Sequence, residues 1–222
     1  MTTVSLMTET PSVLLVTSIQ RDVEQAIDSL MAWLPNPEQV SSDQRRGIIA
    51  RYSSVLEGNF IYWMTGAYLA CGSEEAREKI SENLLEEVRD SHPRMLRTFT
   101  LAAHALPTDH DAMAVHEDLK NVRLFVGRLS GVPILVMMAF FEGFIQKFMA
   151  YLADLAAKQG STEFEYTDVH GVCDIAHTEG LFRSLAAEMA LNPPEATTDL
   201  FEGMKLLRAL IQTMVEPTHS RQ

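Results

Sequence analysis

Along most of the chain apolar residues return every three to four positions, the period of an α-helix with one buried face. Residues 17–35 put Val23, Ile27, Leu30, Met31 and Leu34 on one stripe, and Pro35 and Pro37 close the segment. The same pattern predicts helices over 41–71, 73–88, from Pro93 to about 105, 109–127, 132–157, from Thr167 or Asp168 to about 191, and 195–215. Turn-rich stretches separate them: Gly72-Ser73, "LPTDHD", "KQGSTEFEYTD" and "NPPEATTD". Alternating β-branched runs are almost absent. Roughly seven or eight helices with short connections and no internal repeat predict one all-α bundle. Its expected span is 17–216, between flexible tails at 1–16 and 217–222.

Composition narrows the class. A hydrophobic fraction of 46% and a charged fraction of 22% are those of an ordinary globular domain. A net charge of −12 argues against a nucleic-acid partner. Cys71 and Cys173 form no CxxC and no disulfide framework, which suits a reducing compartment. The N-terminus has no basic region ahead of its short apolar run. The longest apolar run, "VPILVMMAFF", is shorter than a membrane span and stops at Glu142. A soluble cytoplasmic protein with no membrane partner is expected.

The segment "HGVCDIAH" carries the first chemical signal. His170, Asp174 and His177 stand at i, i+4 and i+7 and share one helical face. Imidazoles with a carboxylate form a ligand set for iron and other transition metals. The same spacing also describes an exposed polar face with two ordinary histidines. Glu142 tips the balance. It sits inside an apolar helix, where a carboxylate is costly unless paired, hydrogen-bonded or metal-bound. Gly143 beside it permits close approach of another helix. "NLLEEVRDSHP" adds Glu86 or Glu87 and His92, which read equally as a solvated acidic face and a helix-start histidine. Glu57 lies in an aromatic, apolar segment and stands between a ligand role and a half-exposed polar position. Phe60, Trp63, Met64, Phe140, Phe144 and Phe182 are candidates for core or for an apolar pocket. Lys147 and Arg183 are candidates to bind a substrate carboxylate. The Glu-x-x-His motif of ferritin-like di-iron bundles is absent.

Taken in order, Glu…His, a glutamate in an apolar helix, and H-x3-D-x2-H resemble the haem-oxygenase-like di-iron oxidases and oxygenases. The resemblance runs from about residue 41 to 190. It implies a seven-helix bundle without haem, two iron ions and O2 as cosubstrate. It implies Glu87 (or Glu86), His92, Glu142, His170, Asp174 and His177 as ligands. Glu57 falls where nitrogen-oxygenating members carry an additional ligand. The interval from Glu87 to His92 is shorter than in many members, so Glu86 and Glu87 stay alternatives. The activity implied is oxidation of a small amine or amino acid, foremost at nitrogen. The alternative is oxidative C–C cleavage or decarboxylation of an amino acid or fatty acid. An electron donor and a homodimer are also implied. A non-enzymatic helical binding protein is the competing class.

Overall fold

The computed structural model describes residues 11–216, without the side chains of 11–13, 172 and 173. The expected tails at 1–10 and 217–222, and the Cys173 side chain, lie outside the described residues. Nine α-helices follow in chain order: α1 (Pro11–Trp33), α2 (Ser42–Leu56), α3 (Asn59–Ala70), α4 (Glu74–Arg89), α5 (His92–Ala102), α6 (Asp109–Val126), α7 (Gly131–Lys158), α8 (Glu165–Leu191) and α9 (Glu202–Val215). No strand occurs among the described residues.

The helix starts are those the polar residues dictate. Ser41 and Gln44 form a reciprocal capping box on α2, Thr108 and Asp111 form one on α6, and the Ser73 hydroxyl caps α4. Three expectations are corrected. The first helix starts at Pro11, so residues 11–16 are helical and not tail; Val16 already packs on the core. The long helix expected over 41–71 breaks at Glu57–Gly58, where Gly58 takes a left-handed φ of 78°. This break helps bring the count to nine instead of seven. The last helix begins at Glu202, not 195, because Pro193 and Pro194 are followed by turns to Phe201.

α7 is the axis of the bundle. It is buried on every side from Val132 to Ile145, as a central helix must be, and keeps one buried face on to Ala156. Its length and apolarity match a membrane span, but 89% of its most apolar window is buried by the other helices. α8 packs along it most extensively, and α1, α9, α2 and α3 complete the sheath. Gly143 makes the α7 contact close: a Cβ there would stand 2.9 Å from Ile27 Cδ1 of α1 and 3.5 Å from Thr178 Cγ2 of α8.

Two buried charged side chains lock helix ends. Arg51 donates from Nε to the carbonyl of Met214 at 2.7 Å and from Nη2 to that of Val215 at 3.3 Å, which satisfies the end of α9. Glu188 of α8 accepts the backbone N–H groups of Gly72 and Ser73 at 2.9 and 2.8 Å, which clamps the start of α4 onto α8. The second clamp matters for the site, because α4 ends in Glu86 and Glu87.

Candidate metal centre

Four helices deliver the candidate residues to one buried region. The α8 face presents His170, then Asp174 a turn later, then His177. Glu142 faces it from the middle of α7. Glu86 and Glu87 lie in the last turn of α4, and His92 opens α5. The turn between these two helices explains how an interval of five residues suffices. Ser91 adopts a left-handed φ of 61°, a strained state for a residue with a Cβ, and reverses the chain. His92 Nδ1 thereby meets Glu87 Oε1 at 2.7 Å.

The residues sort into two clusters. Glu87, His92 and His170 form one, and Glu142, Asp174 and His177 the other; within each, one ligand atom per residue lies within 4.8 Å of the others. In the first, His170 Nε2 lies 3.7 Å from Glu87 Oε1, and the rings of His92 and His170 meet edge to face at 4.5 Å. His170 donates Nδ1–H to the Tyr166 carbonyl at 2.8 Å, which leaves Nε2 to face the cluster. In the second, His177 Nδ1 lies 3.5 Å from Asp174 and 3.7 Å from Glu142. Its Nε2 lies 2.9 Å from Glu86 Oε2.

Electrostatics separate the carboxylates. Burial pushes Glu87 up, but the neighbouring His170 and His92 imidazoles outweigh it and hold the group below the ordinary range. Burial raises Glu142, and the neighbouring Asp174 charge raises it further. Burial also raises Asp174. Burial opposes protonation of His177, yet Asp174, Glu142 and Glu86 around it raise its pKa. Three buried carboxylates thus gather where, among the described residues, only histidines pair with them.

Glu142 Oε1 and Asp174 Oδ2 are buried and have no hydrogen-bond partner among the described residues. Unpartnered buried carboxylate oxygens are costly and rare, and a coordinated cation removes the cost. Each cluster offers at least one carboxylate and one imidazole, a donor set that suits iron. The residues present therefore fit a pair of metal ions.

A narrow pocket opens onto both clusters, with about 40 Å3 of free space. Leu56, Phe60, Ile61, Leu96, Phe141 and Ile145 wall it. Of the aromatic candidates only Phe60 lines it; Trp63, Met64, Phe140 and Phe144 are core, and Phe182 lines a groove between α1 and α8. Lys147 and Arg183 do not reach it either: Lys147 pairs with Asp28 at 2.5 Å, and Arg183 lines a separate surface groove. Glu57 lies outside both clusters. Its side chain is 58% exposed at the edge of this pocket, 3.9 Å from Arg97. Of the two glutamates treated as alternatives, Glu87 belongs to the first cluster, and Glu86 lies behind His177 of the second.

Sequence reasoning missed Arg97 and Tyr166. Tyr166 lies one turn before His170, which was the available signal; its buried hydroxyl bonds that of Tyr52 at 2.7 Å. Arg97 carried none, since its helix could be phased only against its neighbours.

The fold and site define a helix-bundle protein with two adjoining carboxylate–imidazole clusters suited to iron. A family model described as "Iron-containing redox enzyme" matches residues 50–211, over two thirds of the chain. The protein belongs to that family, whose fold is haem-oxygenase-like, and is an oxidoreductase. Searches of curated proteins and of solved structures each found no match.

Proposed function

We propose that the protein is a non-haem di-iron oxidase or oxygenase that uses O2 on a small amine or amino acid in specialised metabolism. The observation that carries this reading is the pair of clusters on one α8 face, with Glu142 Oε1 and Asp174 Oδ2 lacking partners among the described residues. Glu87, His92 and His170 would hold one iron, and Glu142, Asp174 and His177 the other. When bound, the irons supply the redox chemistry that activates O2.

The chain's own residues supply geometry and dryness. The Tyr166 carbonyl sets the tautomer of His170, and Glu86 sets that of His177. Glu86 is thus assigned as an orienting group and Glu87 as the ligand. Leu96, Phe141 and Ile145 exclude water from the reacting face. An electron donor and a homodimeric assembly complete the proposal.

Nitrogen oxygenation is the first chemistry the family resemblance implies, through Glu57 as an additional ligand. The position of Glu57 at the exposed edge, paired loosely with Arg97, favours the second chemistry: oxidative C–C cleavage or decarboxylation of an amino acid or fatty acid. Family membership weighs against a non-enzymatic binder.

The test is an anaerobic Fe(II) titration followed by O2. Two irons per chain and a transient visible absorption on O2 addition are expected. Fewer than two irons under every condition, with no optical transient, sinks the reading. Mass spectrometry of amino acid reactions separates oxygen gain at nitrogen from loss of carbon.

A further inference from the structure

The pocket over the clusters changes chemistry along its depth. Its floor is carboxylate and imidazole, its walls are apolar, and its edge carries two exposed charges of opposite sign. Glu57 follows the end of α2 at the break into α3, and Arg97 projects from α5. Arg97 Nη1 stands 3.9 Å from Glu57 Oε1, beyond hydrogen-bond reach, and the side chains are 70% and 58% exposed. An exposed ion pair of that kind adds little to stability and opens readily to a ligand. Among the described residues lining the pocket, Arg97 is the only lysine or arginine and Glu57 the one exposed carboxylate.

We propose that Glu57 and Arg97 form the head-group subsite of this pocket, binding the ammonium and carboxylate of an α-amino acid whose apolar side chain reaches toward the two clusters. This rests on the di-iron reading for what happens at the floor, but not for the binding itself. A guanidinium matches a carboxylate through two parallel hydrogen bonds, and a glutamate accepts from an ammonium. A fatty acid would bring its carboxylate beside Glu57, and a simple amine its cation beside Arg97, so each meets a like charge. Only a ligand with both signs on one carbon satisfies the pair. The walls of Leu56, Phe60, Ile61, Leu96 and Phe141 and the narrow free space of about 40 Å3 suit a short aliphatic side chain. The α-nitrogen then stays at the edge, and the substrate's carbon side chain faces the centre.

The experiment is calorimetric binding to the protein, with and without Mn(II), of alanine, valine and leucine. Each is compared with the amine lacking its carboxylate and the acid lacking its amine. At least one amino acid should bind about tenfold or more tightly than both truncated forms. Arg97→Gln should weaken the amino acid and the acid by about tenfold and leave the amine within about twofold. Glu57→Gln should weaken the amino acid and the amine but not the acid. Bound Mn(II) and the circular dichroism of each variant are measured alongside. Retained metal with selective loss of head-group binding supports the subsite. Loss of one metal ion in Glu57→Gln makes Glu57 a ligand and overturns it. So does equal weakening of all three ligands, or no binding of any of the three amino acids at ~10 mM. Head-group selectivity in a wild-type protein that holds fewer than two metal ions supports the subsite while refuting the di-iron reading.

Discussion

Glu86 Oε2 lies 2.9 Å from His177 Nε2, on the far side of the imidazole from Asp174 and Glu142. A carboxylate in that position fixes which ring nitrogen faces the cluster and raises its basicity. On the di-iron reading, Glu86 and Glu87, adjacent in the chain, have unlike roles. Glu86→Ala should lower affinity for one of two metal ions by about 10- to 100-fold. Glu87→Ala should remove the other site outright. Competitive Fe(II) or Zn(II) titration of the two variants checks the contrast, and equal losses would refute it.

Glu142 should be a liability to the metal-free protein. Its carboxylate is buried, crowded by Asp174, and leaves Oε1 without a partner among the described residues. Glu142→Gln keeps the shape and removes the charge. The metal-free variant should be more stable than the metal-free wild type by about 1–3 kcal/mol, while losing one metal ion. Urea unfolding of both proteins after chelation measures the difference, and a destabilised variant would contradict it.

The clamp of Glu188 on α4 should be expensive to remove. Its oxygens accept from the Gly72 and Ser73 amides and from Asn192 Nδ2 at 2.9 Å, all near the core. Glu188→Ala strands these donors and should cost about 3 kcal/mol. Because α4 carries Glu86 and Glu87, metal affinity should fall with stability. Glu188→Gln, which keeps an acceptor, should recover part of both in thermal melts and metal titrations.

Asp111 offers a pH signature far from the centre. It takes two hydrogen bonds from Arg46, at 2.9 and 2.7 Å, and caps α6 through Thr108. Burial pushes its pKa up, but Arg46 and Thr108 outweigh burial and hold it below the ordinary value. A depressed carboxylate contributes stability above its unfolded pKa of about 3.9, and that contribution fades as pH falls through the folded value. Asp111→Asn should cost about 2 kcal/mol at neutral pH. The gap to wild type should narrow below about pH 4. Urea midpoints from pH 7 to pH 3 give the comparison; a constant gap would exclude this linkage.

Helix content and the α8 triad were legible because both are local. A 3.6-residue period puts His170, Asp174 and His177 on one face whatever surrounds the helix. Glu142 was legible for a related reason: a carboxylate in an unbroken apolar helix has to be explained by its burial. Serine and threonine caps marked helix starts, while the break at Gly58 was hidden within a continuous helical period.

What the sequence by itself determined was an all-α chain with a glutamate in its most apolar helix and an imidazole–carboxylate face on a late one. Only the tertiary structure decided how these combine. It assigned Glu87 to one cluster and Glu86 to the back of His177, placed Glu57 at the pocket edge beside Arg97, and joined the Tyr166 hydroxyl to that of Tyr52. Those outcomes depend on the left-handed turn at Ser91 and on how α4, α5 and α7 rotate against α8. Helix rotation is set by packing among residues distant in sequence, so no local period encodes it.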